Sequence, residues 1–233
     1  MAADEALLNR ASGAVLRFYT WMRSAVTLGR FQDALSAVDV VFCRTHTVPV
    51  IRRPTGGRAV YHSTDLTYTI LLPDYLAGGR SVRQSYRYLT DAMARGLREL
   101  GLDVAEGADP APGPRSRADC FAQAAPCDLS SGGRKLVGSA QVRRNGWILQ
   151  QGSIRLWPME IPEGLFPASE SLPASAALTC RASVEDVQAV LAVELGRLLE
   201  CHWIPSLLTP EEADEAGRLL AERYALDAWN LGC

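Results

Sequence analysis

The sequence predicts an α/β or α+β fold in which a central mixed or antiparallel sheet is flanked by helices. Three observations in the 233-residue chain support this prediction. Residues 66–72 alternate along the chain as a strand does. The Arg144-Asn145-Gly146 segment is typical of a tight hairpin turn. Apolar residues recur every three or four positions over 81–100 and 183–199, which predicts two amphipathic helices.

The first third of the chain predicts one helix followed by short strands. Residues 2–12 form the helix, and its early acids, Asp4 and Glu5, suit the positive end of the helix dipole. Strands are expected at 15–19, 25–28, 48–53, 58–62 and 66–72. Residues 34–42 fit a helix by apolar spacing and a strand by β-branched content. The segment 54–57 is predicted as a turn that returns the chain directly into the next strand.

The second half combines capped helices with Pro-rich connections. Ser81 can cap the helix that follows it, and Thr209-Pro-Glu-Glu is a capping-box sequence that opens a helix to Tyr224. Residues 109–114, DPAPGP, predict an exposed, mobile loop that leads towards Cys120. Residues 158–173 are rich in Pro and Ser and predict an excursion over the surface.

The segment 130–142 joins a turn to a strand that carries one lysine. Ser130 to Gly133 predicts a tight turn, because glycine adopts positive φ without steric cost. Side chains alternate between the two faces of a strand. One face is therefore predicted to carry Lys135, Val137, Ser139 and Gln141. The opposite face is predicted to carry Leu136, Gly138, Ala140 and Val142. A single lysine here fits an edge-strand charge and a buried catalytic group equally well.

Composition limits the classes of partner. The formal net charge is −2, which gives no overall bias towards nucleic acid or an anionic membrane. No segment is apolar and long enough to span a bilayer, and the N-terminus lacks the pattern of a secretory signal. The six cysteines are scattered without metal-ligand spacing, so they are expected to be reduced thiols. We therefore expect a cytoplasmic protein with no membrane, nucleic-acid or metal partner.

Cys120 is the candidate nucleophile. It follows Arg115, Arg117 and Asp119 in a polar approach, whereas a structural cysteine is usually surrounded by apolar residues. An ammonium from Lys135 beside it would favour the thiolate, and a thiolate can divide acyl transfer into two easier steps. From these residues alone, a packing role for Cys120 stays open. The remaining cysteines have no comparable context: Cys43, Cys127, Cys180, Cys201 and Cys233.

Two motifs, in the same order, resemble the lipoate–protein ligase and octanoyltransferase superfamily. Residues 52–62, RRPTGGRAVYH, are similar to its RRxTGGxxVxH motif. Residues 133–144, GRKLVGSAQVRR, followed by ILQQGSI at 148–154, resemble its GRKxxGSAQ…GS signature. The Cys120-Phe121 pair resembles the Cys-dependent octanoyltransferase branch. The resemblance covers nearly the whole chain and implies one catalytic domain, residues 1–233, with the biotin/lipoate-ligase-like fold.

The resemblance also implies roles for individual residues. Cys120 would carry the acyl group, and Lys135 would polarise the thioester carbonyl and assist proton movement at the thiol. The residues implied to line the acyl pocket are Arg53, Thr55, Gly56, Gly57, His62, Gly138, Ser139 and Ala140. A plain hairpin explains the glycines at 56 and 57 as well. His62 fits either a pocket contact or an ordinary strand position, and a Cys120–His62 dyad is the runner-up mechanism.

The implied function is octanoyl transfer from octanoyl-acyl carrier protein to a lysine of a lipoyl domain or of the glycine-cleavage H protein, without ATP or metal. Departures from the ligase pattern at Arg58, Ser63 and Gln151 argue against adenylate binding. Two alternatives remain: an ATP-dependent lipoate–protein ligase and a catalytically silent protein that binds lipoyl domains. Both carrier partners are expected to be acidic, so a basic docking surface is expected at three arginines near the motif: Arg143, Arg144 and Arg155.

Overall fold

Two β-sheets form the centre of the fold in the computed structural model, which describes residues 1–106, 119–121, 128–167 and 181–232. The strands within these ranges are β1 (Val15–Tyr19), β2 (Ala25–Leu28), β3 (Val50–Arg52), β4 (Val60–His62), β5 (Leu66–Pro73), β6 (Ala105–Glu106), β7 (Leu129–Ser131), β8 (Arg134–Arg144) and β9 (Trp147–Ile154). The larger sheet has the order β1-β5-β9-β8-β7-β6 and is antiparallel throughout. The smaller sheet has the order β3-β2-β4.

Helices flank the sheets as predicted. They are α1 (Ala2–Arg10), α2 (Ala34–Ala37), α3 (Val40–Thr45), α4 (Val82–Glu99), α5 (Val184–Leu199), α6 (Pro210–Leu219) and α7 (Asp227–Asn230). Capping boxes begin three of them, at Ser81, Ser183 and Thr209, because each side-chain oxygen accepts an otherwise unpaired backbone N–H. The last predicted helix is interrupted, since residues 220–224 form a π-helical turn after α6. No helix in the described ranges is both long and apolar enough to cross a membrane.

The main core lies between the larger sheet and the pair α4 and α5. The side chains of Leu66, Tyr68, Ile70 and Leu72 on β5 share this cluster with Leu89, Met93 and Leu97 of α4 and Val187, Leu191 and Leu195 of α5. The alternation predicted for β5 is thereby confirmed. The opposite face of β5 is also buried, because Leu71 packs with Leu7 and Leu8 of α1.

The hairpin predicted at 54–57 is wrong. Strand β2 lies between β3 and β4, pairing with β3 in parallel and with β4 in antiparallel orientation. The loop therefore crosses the end of β2. It passes so close that a Cβ atom on Gly29 would lie 1.8 Å from the carbonyl oxygen of Gly57. The glycines serve this backbone contact, and a local turn signal could not distinguish it from a hairpin.

The structure also decides two further connections. The ambiguous segment 34–42 contains α2 and the beginning of α3, each with an aspartate at its N-cap. The predicted surface excursion is wrong for its first part, because Met159, Leu165 and Phe166 are buried in the core of the smaller sheet. Apolar side chains at these three positions outweigh the local Pro content. The rest of that excursion, from 168, and the loop at 109–114 lie outside the described residues.

The contact between Gly29 and Gly57 gives a test of the crossing loop. We expect Gly29→Ala to destabilise the protein by about 1–3 kcal/mol, because the added methyl group would overlap the Gly57 carbonyl. Urea unfolding followed by circular dichroism measures the change. Gly13→Ala is the matched control, since a Cβ there meets no atom within 4 Å. Equal stability of the two variants would contradict the crossing.

Candidate active site

The β7–β8 hairpin places Lys135. Its turn uses Gly132 and Gly133, with φ of 55° and 74°, in agreement with the predicted tight turn. The register shifts just after the turn: Ser130 pairs with Lys135, but Leu129 pairs with Val137. One extra residue in β8 makes this a β-bulge.

The bulge corrects the predicted face of Lys135. Alternation assigned Lys135 to the face opposite Gly138. In the structure the lysine side chain passes over Gly138, where an added Cβ would lie 2.6 Å from Lys135 Cε and 3.3 Å from the Phe121 ring. The absence of a side chain at Gly138 therefore leaves the space through which Lys135 reaches Cys120, and strict period-two alternation does not hold across the bulge.

Lys135 contacts both Asp128 and Cys120. Its ammonium lies 2.7 Å from Asp128 Oδ2, and it donates hydrogen bonds to the carbonyl oxygen and the Sγ of Cys120, at 2.9 and 3.4 Å. Cys120 is anchored in turn by its own N–H, which donates to Ala59 O at 2.8 Å. The two residues predicted as catalytic are thus brought together, with Lys135 on β8 and Cys120 held by the residue that precedes β4.

The lysine is a buried charge. Its side chain is 4% exposed and that of Asp128 is 3% exposed. Burial by itself would lower the pKa of Lys135, but the negative charges of Cys120 and Asp128 outweigh burial and hold the pKa above its ordinary value. The ammonium therefore keeps its proton at neutral pH and can donate a hydrogen bond to the sulfur or to an oxygen that approaches it.

Cys120 lines a cavity of about 390 Å³, a volume that includes its open mouth. Six of the predicted pocket residues line it: Arg53, Gly57, His62, Gly138, Ser139 and Ala140. Thr55 and Gly56 do not line it and instead support its wall. The Thr55 hydroxyl donates to Gln151 Oε1 at 2.9 Å, and the Gly56 carbonyl accepts from Arg53 at 2.9 Å. Ser139 contributes mainly backbone, because its hydroxyl is hydrogen-bonded to Tyr68.

Arg53 supports the loop that borders the cavity. Its guanidinium donates to the carbonyl oxygens of Thr27, Gly56 and Arg58, each at 2.9 Å, and to the Thr27 hydroxyl. Burial lowers its pKa to about 10, so the group is still charged at neutral pH. Arg53 therefore fixes the crossing loop and adds positive potential near Cys120.

His62 does not form a dyad with Cys120. Its Nδ1 lies 2.7 Å from Asp65 Oδ2 and its Nε2 lies 2.8 Å from the Thr27 hydroxyl, so both ring nitrogens have other partners. The ring also stacks on Trp21, with centroids 4.2 Å apart. Burial lowers the pKa of His62, which leaves the imidazole neutral at neutral pH. Neutral His62 then donates from Nδ1 to the carboxylate and accepts at Nε2.

Gln151 occupies the place where the resembling family usually has histidine. Its amide bridges the chain: Oε1 accepts from Thr55, and Nε2 donates to Asp4 Oδ2 at 2.7 Å. Asp4 belongs to α1 and also pairs with Arg17 at 2.8 Å. The departure thus has a structural role, because it ties α1 to the cavity wall.

The predicted basic docking surface is wrong for buried Arg155, whereas Arg143 and Arg144 are partly exposed and also have partners within the protein. Arg143 donates to the Ser85 hydroxyl at 2.9 Å, and Arg144 pairs with Glu5 at 3.1 Å. Arg155 is only 7% exposed. All three arginines are engaged by the protein itself, and the sequence could not show those partners because they lie far away along the chain.

Sequence reasoning missed Asp128, Asp65 and Thr27. The predicted tight turn could have indicated Asp128. The strand after a hairpin turn runs back past the residues before the turn, and this brings Lys135 close to Asp128. Asp65 stands three positions after His62, and no periodic pattern marks it. Within the described ranges, no three His, Cys, Asp or Glu side chains are grouped so that they could hold a metal ion.

Comparison with known proteins shows the family of the chain. The family model described as the lipoyl protein ligase A/B catalytic domain matches residues 1–158. The octanoyltransferase LipM of Symbiobacterium thermophilum is 36% identical, over 99% of this chain and 93% of that protein. The octanoyltransferase LipM of an Exiguobacterium species is 34% identical, over 98% and 92%.

Solved structures share the fold. A lipoate-protein ligase A bound with ATP superposes with a TM-score of 0.82 at 25% identity, over 99% of this chain and 92% of that one. The bipartite lipoate protein ligase of Thermoplasma acidophilum superposes with a TM-score of 0.80 at 24% identity, over 99% and 90%. The predicted ligase-like fold is confirmed.

The ion pair gives a test of Lys135. We expect Lys135→Ala to lose most acyl transfer and also about 3–5 kcal/mol of stability, because removal of the ammonium takes the cation away from buried Asp128. The double variant Lys135→Ala/Asp128→Asn is expected to regain stability without regaining activity. Chemical denaturation and a transfer assay on both proteins measure this. Wild-type turnover in either folded variant would contradict a catalytic role for Lys135.

Proposed function

The chain belongs to the lipoyl protein ligase A/B catalytic domain family, and from this premise we propose that it is an octanoyltransferase that works through an acyl thioester on Cys120. The observation that carries the proposal is the Lys135 ammonium, 3.4 Å from Cys120 Sγ at the start of a cavity. Relatives that span nearly the whole chain are octanoyltransferases, which favours this activity over the ligase alternative.

In the first step, the Cys120 thiolate attacks the carbonyl carbon of octanoyl-acyl carrier protein. A bond forms between Cys120 Sγ and the acyl carbon, and the bond to the carrier sulfur breaks. Lys135 stabilises the negative charge that develops on the carbonyl oxygen and supplies a proton to the departing carrier thiolate. The proposal assigns this role to Lys135 because it is a charged donor within hydrogen-bonding distance of the sulfur.

In the second step, the neutral amine of a lysine on a lipoyl domain or glycine-cleavage H protein attacks the Cys120 thioester. An amide bond forms, Cys120 leaves as a thiolate, and the surplus proton of the amine returns to Lys135. The single bond between Cys120 Sγ and the acyl carbon thus forms in the first step and breaks in the second, without a redox change. The thiolate that remains is ready for another donor.

The cavity suits an alkyl chain. Its lining includes small or apolar residues: Val60, Gly138, Ala140 and Gly152. Burial of an acyl chain stabilises the thioester by roughly 0.8 kcal/mol per methylene. We therefore expect the cavity to accommodate the octanoyl group between the two steps.

Cys120, and not Cys127, is expected to carry the acyl group. Cys127 lies outside the described residues, whereas Cys120 accepts the Lys135 hydrogen bond. Mixing with octanoyl-acyl carrier protein in the absence of acceptor should leave a hydroxylamine-sensitive octanoyl adduct, and peptide mass spectrometry locates it. Cys120→Ser should stop turnover or stall as an ester, and Cys127→Ser is the matched control that stays active. An adduct on the Cys127 peptide would refute the assignment.

Transfer is expected to need no ATP. The thioester donor already supplies an activated acyl group, so adenylation adds nothing to the reaction. Octanoylation of an apo lipoyl domain should proceed from octanoyl-acyl carrier protein at the same rate when an added nucleotide-hydrolysing enzyme removes ATP. Release of pyrophosphate, or loss of transfer on ATP removal, would instead favour a lipoate–protein ligase.

A further inference from the structure

Asp65 gathers polar groups from one end of the cavity. Its Oδ2 accepts hydrogen bonds from His62 Nδ1 at 2.7 Å, from the Ser153 hydroxyl at 2.6 Å and from the Thr67 hydroxyl at 3.3 Å. The carboxylate is 1% exposed. Asp65 does not itself line the cavity, whereas each of its three side-chain donors does. The three polar side chains therefore donate their hydrogen bonds to one buried carboxylate outside the cavity, and not into the cavity.

The other polar side chains of the lining are engaged in the same way. The Thr27 hydroxyl accepts from Arg53, Gln151 bonds to Thr55 and Asp4, and the hydroxyl of Ser139 bonds to Tyr68. Trp21 Nε1 donates to the Thr67 hydroxyl at 2.7 Å. A wall built largely of polar residues thus directs its polar atoms to protein partners and presents carbon to a ligand.

The sheet register shows where these residues stand relative to the nucleophile. Gly138, beneath Lys135, pairs with Ser153, and Ser153 pairs with Thr67 on the next strand. Paired residues of antiparallel strands lie on the same face of a sheet. The row from Gly138 to Thr67 therefore crosses two strand spacings, roughly 10 Å. A chain attached to Cys120 that follows this row ends beside Thr67 and His62.

We infer that Asp65 is a specificity-determining residue, which makes the distal end of the cavity accept an unsubstituted alkyl terminus and reject an oxygenated one. The inference rests on the proposed function for the identity of the acyl group. A terminal hydroxyl would lose its water and find no free hydrogen-bond donor on these three side chains, because each of them donates to Asp65. Apolar sites of this kind discriminate against an added hydroxyl by roughly 10- to 100-fold.

The test compares two acyl groups of equal length. Octanoyl-pantetheine and 7-hydroxyheptanoyl-pantetheine differ only in the replacement of the terminal methyl by hydroxyl, so size is matched. The rate of Cys120 acylation by each thioester is measured by intact-protein mass spectrometry without acceptor. We expect the wild-type protein to favour octanoyl by roughly 10-fold or more.

Asp65→Asn is expected to reduce this preference several-fold, because an amide cannot accept all three donors and leaves a hydroxyl of the wall available. Asp65→Glu, which keeps the carboxylate, should retain more of the preference. Asp227→Asn is the matched control at an exposed aspartate and should keep the wild-type ratio. A loss of stability would slow both substrates and leave the ratio unchanged, so the ratio separates specificity from folding.

Equal acylation of the wild-type protein by both thioesters would overturn the inference, even if Asp65→Asn does not fold. An unchanged ratio in a folded Asp65→Asn protein would overturn the role of Asp65. Transfer to an apo lipoyl domain is measured in a separate arm. Selective acylation of Cys120 without such transfer would support the inference while refuting the octanoyltransferase function, so the two failures are distinguishable.

Discussion

A buried ammonium held between a carboxylate and a thiol is the interaction on which the site depends. Lys135 has little access to water, so its charge is sustained by Asp128 and by the electron-rich atoms of Cys120. The strength of this arrangement comes from burial, because a charge in a poorly hydrated site acts on its neighbours more strongly than one at the surface. The hydrogen bonds from Lys135 to Cys120 join the β7–β8 hairpin to the segment that carries the candidate nucleophile.

Glycines at close approaches make this arrangement possible. Gly138 leaves room for the Lys135 side chain, and Gly29 leaves room for the loop that borders the cavity. Arg53 then fixes that loop through backbone carbonyl oxygens instead of through a carboxylate. These internal contacts hold the cavity wall in place without a ligand, so less conformational entropy is lost on binding.

The cavity shows how polar residues can line an apolar site. Asp65 accepts hydrogen bonds from His62, Ser153 and Thr67. Because these polar atoms are paired within the protein, the wall presents mainly carbon atoms to the cavity. Although burial alone would raise the pKa of Asp65, its contacts with His62 and Ser153 lower it, so the carboxylate stays ionised. Since neutral His62 donates its Nδ1 proton to Asp65, that proton is not available to Cys120.

The sequence by itself determined the local structure and pointed to Cys120 and Lys135 as the candidate reactive pair. Local features depend on neighbours within a few positions, so they can be recognised in the sequence. They include the turn glycines, capping residues such as Ser81 and Thr209, and the motifs around Cys120 and Lys135. The tertiary structure alone decided that β2 enters between β3 and β4, that a bulge turns Lys135 towards Gly138, and which partners the buried charges take. Those outcomes depend on contacts between residues distant in sequence, where burial makes a partner obligatory but no local pattern says which residue supplies it.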